Sequence, residues 1–99
     1  MLKLRAIIKH RWQQEPIAET IFDCEMSKRE LEDEIAYFIV RNTGSDDGYY
    51  VRYFYSVGKD ASEWVHMSDY DIITHYREEI QTIVDYCKQI MYNPTGRGD

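Results

Sequence analysis

The stretch from Tyr49 to Tyr55 constrains the fold of this chain more than any other segment. It holds five aromatic residues in seven positions: Tyr49, Tyr50, Tyr53, Phe54 and Tyr55. Successive side chains of a β-strand point to opposite faces of the sheet. Because these aromatics occupy both odd and even positions, aromatic side chains lie on both faces of the sheet that the strand joins. One face can be core, and the other presents surplus aromatic surface, which typically marks a site for a partner.

Length and composition predict one small, acidic domain. The chain has 99 residues, of which 43% are hydrophobic and 30% are charged, with a net charge of −6. This charge disfavours nucleic-acid binding, which needs Lys and Arg to neutralise phosphates, and it favours a basic protein as partner. No apolar run approaches a membrane span, no signal-peptide pattern opens the chain, and the two cysteines suggest reduced thiols. We therefore expect a cytoplasmic protein with one domain over residues 1–93 and a flexible tail over 94–99.

Hydrophobic periodicity predicts six elements in the order ββαββα. Ser27 and Glu30 form a capping-box pattern that opens the first helix, and Ser68 with Asp71 forms a similar pattern before the second. The predicted strands cover 2–12, 17–26, 49–57 and 63–67, and the predicted helices cover 28–42 and about 69–91. This order is typical of an α+β two-layer sandwich, with a four-stranded, largely antiparallel sheet and two helices packed on one face. The pattern leaves the strand order open.

Charge suggests a register for the first hairpin. If opposed residue numbers sum to 28, Lys3 faces Glu25, Arg5 faces Asp23 and Lys9 faces Glu19; sums of 30 and 26 retain fewer pairs. The acidic stripe of the second strand would then neutralise the basic stripe of the first. We interpret the outer face of this hairpin as a solvated salt-bridge ladder rather than a phosphate-binding surface.

The second hairpin gathers the candidate binding residues. If opposed residue numbers in this hairpin sum to about 120, five side chains lie on the same face of the sheet: Tyr50, Arg52, Phe54, Trp64 and His66. Aromatic residues, Arg and His around a Trp have the composition of an interface hot spot. The competing interpretations are base stacking on the same aromatics, inverted faces that expose Tyr49, Tyr53 and Tyr55 instead, and aromatics that serve strand propensity alone.

The exposed side of the first helix offers a second candidate surface. Glu30, Asp33 and Glu34 lie in its first turns, where carboxylates complement the helix dipole. A dipole-complementing, solvated face is the simpler interpretation. The functional interpretation is an acidic surface that docks a basic partner, and these three residues are therefore kept among the candidate partner-binding residues.

Catalytic patterns are weak throughout the chain. We find no nucleophile-elbow serine and no Gly-rich phosphate loop, and the patterns predict no metal site and no cofactor. Cys24 and Cys87 fall on predicted core faces. We therefore predict a non-enzymatic module that binds another protein, such as an antitoxin, immunity protein or phage-encoded inhibitor, or a second copy of itself. The alternatives are a nucleic-acid or nucleotide binder and, third, a small homodimeric enzyme or sensor with a pocket that the sequence does not reveal.

Overall fold

A computed structural model describes residues 2–44, 48–57, 63–72 and 76–92 of the chain. The described elements are β1 (Lys3–His10), β2 (Ala18–Asp23), α1 (Lys28–Thr43), β3 (Tyr49–Ser56), β4 (Val65–Asp71) and α2 (Tyr76–Tyr92). The strands form one antiparallel sheet in the order β2-β1-β3-β4. The predicted α+β fold is confirmed, and the strand order that the sequence left open makes β2 and β4 the two edges.

The two faces of the sheet follow the alternation of the central strands. Leu4, Ala6 and Ile8 of β1 are fully buried in the same core as the helices, as are Val51 and Tyr53 of β3. The helices therefore cover the odd-numbered side of β3. None of the described elements covers the even-numbered side, which is called here the open face. Burial of Tyr53 excludes the inverted arrangement in which Tyr53 would be exposed.

Helix α1 begins as its sequence predicts. The Ser27 Oγ accepts a hydrogen bond from the Glu30 amide at 3.1 Å, and the Glu30 carboxylate accepts one from the Ser27 amide at 3.3 Å. Leu31, Ile35 and Ile39 then recur at helical spacing and are buried against the sheet. The capping box therefore fixes where the chain turns from β2 into the helical layer.

The register of the first hairpin differs from the prediction by two residues. Lys3 faces Asp23 and Ile7 faces Glu19, so opposed numbers sum to 26 rather than 28. The charge ladder still forms, because Arg5 reaches Glu19 diagonally in an ion pair and Lys3 Nζ lies 3.6 Å from Asp23 Oδ2. Long side chains satisfy either register, so packing on the covered face decides.

On the covered face, β2 packs against β1 and α1. Phe22 stands opposite Leu4, and its ring packs edge to face on Phe38 of α1 with centroids 6.1 Å apart. The Cys24 amide hydrogen-bonds to the Leu2 carbonyl at 3.2 Å and brings the buried Cys24 side chain into the core.

The boundary between β4 and α2 was predicted wrongly. Ser68 and Asp71 do not cap a helix but belong to β4, which continues to Asp71, and the described part of α2 begins at Tyr76. The segment from Asp69 to Ile72 alternates polar and apolar residues, and β3 supplies pairing partners as far as Tyr50. This long-range pairing outweighs the local capping pattern.

A register shift in β4 gives the strand its final geometry. Phe54 faces His66, but Tyr53 faces Ser68, so Met67 is an extra residue in a β-bulge. The predicted sum of 120 therefore holds only for the first part of the hairpin.

The sequence also predicts a turn over 45–48, a loop over 58–62, an exposed His75 and a helix stop at Asn93-Pro94. All but Gly48 of these positions, and the predicted tail at 94–99, lie outside the described residues.

Candidate functional site

The candidate site lies on the open face where β3 meets β4. Tyr50, Arg52 and Phe54 project from alternate positions of β3, and His66 stands directly opposite Phe54 on β4. Trp64 precedes β4 and completes the set. The structure thus brings the five predicted residues onto one side of the sheet; we call this set the aromatic patch.

Asp69 lies beside the aromatic patch and binds two of its members, Arg52 and His66. Its Oδ1 accepts a hydrogen bond from Arg52 Nε at 3.1 Å and lies 2.7 Å from His66 Nε2. A carboxylate only accepts, so Nε2 of His66 carries the proton and donates it. Partial burial acts to raise the pKa of Asp69, but the hydrogen bonds from His66 and Arg52 outweigh it and hold that pKa below its usual range. The carboxylate is therefore ionised and fixes both basic groups.

Ring contacts involve four members of the patch: Arg52, Phe54, Trp64 and His66. The Phe54 and His66 rings are 5.3 Å apart between centroids, and the Arg52 guanidinium lies 5.5 Å from the Phe54 ring centre. The Arg5 guanidinium lies 5.5 Å from the Trp64 ring centre and also pairs with Glu19. Both guanidiniums are within the range of a cation–π contact. The contacts therefore form two groups on the open face. One joins Phe54, His66, Arg52 and Asp69 across β3 and β4, and the other joins Trp64 to Arg5 and Glu19 of β1 and β2.

The sequence reasoning missed Asp69. It assigned this residue to the start of the second helix, and only the bulge at Met67 turns Asp69 to the same face as His66. A bulge depends on how two strands pair and carries no short sequence signature here. The alternation from Asp69 to Ile72 was the one available signal that this segment belonged to a strand.

Four basic side chains on the open face have carboxylate partners, whereas Lys9, on the same face, has none among the described residues. The four ion pairs are Lys3–Asp23, Arg5–Glu19, Arg11–Asp71 and Arg52–Asp69. The last two span 2.6 Å and 3.1 Å between nitrogen and oxygen. A phosphate would have to displace these carboxylates to reach the arginines. The face is therefore a poor phosphate-binding surface despite its row of cations.

The acidic residues of α1 are not part of this site. Glu30, Asp33 and Glu34 are exposed on the side of α1 that points away from the sheet, whereas the patch lies on the opposite face of the sheet. Glu30 also closes the capping box with Ser27. One flat partner surface cannot cover both sets at once, so the two predicted surfaces are separate.

Trp12 is a second residue that the sequence reasoning missed. It lies in the turn after β1 with 86% of its surface exposed. Its amide donates to His10 Nδ1 at 3.2 Å, and the Arg11 amide donates to the Gly48 carbonyl at 3.0 Å. The His10 ring packs edge to face on Tyr49 at 4.8 Å. Trp12 is the last residue of the first predicted strand, whereas β1 ends at His10. A Trp at the end of a predicted strand was a usable signal, because an exposed indole on a fixed turn is a recurrent interface anchor.

The cysteines belong to the core. Cys24 and Cys87 are free, fully buried thiols. Interaction with the Cys24 thiol, together with burial, raises the pKa of Cys87, which keeps that thiol protonated. Among the described residues, no group of three or more His, Cys, Asp or Glu side chains is arranged to hold a metal ion.

Comparisons with known proteins give no further guidance, because no protein-family model, curated protein or solved structure matches this sequence. Neither helix in the described part of the chain has the length and hydropathy that a membrane crossing requires.

Proposed function

We propose that this protein is a non-catalytic binding module that docks a folded protein partner on the aromatic patch of its open face. One observation carries the proposal: five side chains with hot-spot composition lie on one sheet face that no other described element covers, and four of them are held by ring contacts and ion pairs. Interface hot spots are enriched in Trp, Tyr and Arg and gain from side chains that are already ordered.

The pairing of charges supports a protein over a nucleic acid as the partner. A strand of RNA or DNA needs free cations for its phosphates and open aromatic faces for its bases. On this face Arg5, Arg11 and Arg52 are each engaged by a carboxylate. Arg5 and Arg52 also lie over the Trp64 and Phe54 rings, so one stacking face of each ring is occupied.

The size and acidity of the chain are compatible with the inhibitor or accessory class predicted from the sequence. Net charge of −6 would steer a basic partner toward the domain. The acidic side of α1 faces the other way and would remain free to approach a further basic surface, so we restrict the proposal to the open face.

The test is a pull-down from a lysate of the native host with a Phe54→Ala/Trp64→Ala double variant. Both side chains lie outside the buried core, so the variant should fold and lose the partner that the unmodified protein captures. A Tyr37→Ala/Tyr92→Ala double variant is the matched control, because it removes aromatics that are 63% and 77% exposed on the helices. Capture of the same partner by both variants in equal yield would refute the proposal.

The dependence of binding on salt concentration distinguishes a nucleic-acid partner from a protein partner. Binding of a single-stranded oligonucleotide through phosphates weakens steeply between about 50 mM and about 200 mM salt. Tight oligonucleotide binding with that dependence, lost in the Phe54→Ala/Trp64→Ala variant, would assign the patch to nucleic acid instead.

A further inference from the structure

The turn that follows β1 is held by a titratable side chain. The Gln13 amide donates to the His10 carbonyl at 3.1 Å, so His10 is the first residue of a four-residue turn over 10–13. The Trp12 amide donates to His10 Nδ1 at 3.2 Å. Both the main chain and the ring of His10 therefore accept hydrogen bonds from the turn that carries Trp12.

The ring of His10 takes the place that an Asn or Asp side chain has in many turns. Those residues favour the first position of a turn because their side-chain oxygen accepts the amide two residues along the chain. In His10 the acceptor is a ring nitrogen. An imidazole nitrogen accepts only while it is unprotonated, so the neutral ring carries its proton on Nε2 and a doubly protonated ring has no acceptor. Unlike Asn, His10 therefore loses its hydrogen bond to the turn when it gains a proton.

Neighbouring groups confine the His10 ring. It packs edge to face on Tyr49, its pairing partner on β3, with centroids 4.8 Å apart. On the Nε2 side, Gly48 is so close that an added Cβ would lie 2.9 Å from this nitrogen. The Arg11 amide donates to the Gly48 carbonyl at 3.0 Å, which holds the backbone of Gly48 beside the ring. Because the ring is confined on both sides, a proton on Nδ1 would displace the Trp12 amide rather than the ring.

The charges around His10 do not compensate an added proton. The charged and titratable groups near it are two flanking cations, the partner of one of them on β4, a phenol on β3 and a loop carboxylate: Lys9, Arg11, Asp71, Tyr49 and Glu15. The Arg11 guanidinium lies 2.6 Å from Asp71, so that carboxylate is engaged. No carboxylate in the described part of the chain forms an ion pair with His10. A proton added to His10 therefore lies next to two cations along the chain and has no ion-pair partner.

From these observations we infer that His10 is a pH-sensitive latch: its neutral ring holds the turn over 10–13 closed, and protonation in mild acid releases Trp12. Because the closed turn requires an unprotonated Nδ1, it prevails at higher pH and opens as pH falls through the range of about 5–8 in which histidine side chains titrate. Trp12 is 86% exposed, so the latch controls the position of a surface indole. None of the residues that form the latch belongs to the aromatic patch, so the inference does not rest on the function proposed there.

The test follows the Trp12 amide and the His10 ring by NMR spectroscopy. At about pH 8, the ring nitrogens of His10 should show the tautomer that carries its proton on Nε2. Between about pH 8 and about pH 5, the Trp12 amide resonance should shift with the same midpoint as the His10 ring. The protection of this amide from hydrogen exchange, corrected for the intrinsic rate at each pH, should fall about fivefold, which is the factor expected for loss of one ordinary hydrogen bond.

Three variants separate the latch from other effects of acid. His10→Asn keeps a side-chain acceptor for the Trp12 amide but does not titrate, so its turn should stay closed across the same pH range. His10→Ala removes the acceptor and should leave the Trp12 amide equally unprotected at every pH. His66→Asn is the matched control, because it removes a histidine of the open face and should leave the Trp12 titration unchanged.

The measurements on the unmodified protein decide the inference even if a variant fails to fold. A neutral His10 ring with its proton on Nδ1 would overturn it, and so would a Trp12 amide that stays equally protected while the ring titrates. A Trp12 titration that persists in His10→Asn with an unchanged midpoint would also overturn it, because another group would then be responsible.

Discussion

Lys88 offers the sharpest test of how the helical layer is fixed to the sheet. Its Nζ, on α2, donates to the carbonyl of Cys24 at 2.8 Å and to the carbonyl of Met26 in a second, shorter contact. Both carbonyls lie in the turn between β2 and α1, so one partly buried ammonium ties three elements together. Lys88→Met keeps most of the apolar stem and removes only the charged donor.

The expected loss follows from those two bonds. A hydrogen bond from a charged donor contributes about 1.5–3 kcal/mol net, and water recovers part of it at a partly exposed site. We expect Lys88→Met to lower the free energy of unfolding by about 2 kcal/mol, which corresponds to a fall in Tm of roughly 10 °C for a domain of this size. Urea unfolding should show a lower midpoint with an unchanged slope.

Lys28→Met is the matched control. Lys28 also links the helical layer, through a 2.6 Å ion pair with Asp85, but both side chains are more than half exposed. Exposed ion pairs often contribute nothing measurable, so this variant should unfold close to the unmodified protein. If Lys88→Met costs no more stability than Lys28→Met, the carbonyl contacts of Lys88 do not hold the turn and the reasoning is wrong.

Two further predictions concern the open face and the turns. Because the pKa of Asp69 is lowered in the folded state, its contribution to stability is present above the ordinary carboxyl pKa and is lost as pH falls through the lowered value. Asp69→Asn should therefore destabilise the protein at neutral pH and match it in strong acid, as followed by Tm against pH; a constant difference across that range would contradict the assignment. At Gly48, φ is +90° and an added Cβ would lie 2.9 Å from His10 Nε2, whereas at Gly44, φ is +62° with open space around it. Gly48→Ala should cost more than Gly44→Ala, each on the order of 1–3 kcal/mol by chemical denaturation, and the reverse order would show that the turn at His10 is not rigid.

The membership of the aromatic patch was predictable because it depends on short-range alternation. Tyr50, Arg52 and Phe54 share a face in any sheet that contains this strand, and His66 faces Phe54 as long as the hairpin begins where the pattern indicates. The position of Asp69 beside the patch was not predictable. Asp69 reaches the patch only after the bulge at Met67 changes the alternation, and that bulge is set by pairing with β3.

The sequence by itself determined the order of the elements, the buried faces of β1, β2 and α1, and the capping box of α1. These follow from side-chain period and local hydrogen bonding, which each segment carries within itself. Only the tertiary structure decided the strand order, the face of β3 that the helices cover, the register of the first hairpin and the length of β4. A shift of two residues leaves every side chain on its own face. Arg5 also meets a carboxylate in both registers, Asp23 directly opposite in the predicted one and Glu19 on the diagonal in the observed one, so neither pattern nor charge separates the two. Packing of Phe22 on Phe38 separates them, and that contact exists only once the helix lies on the sheet.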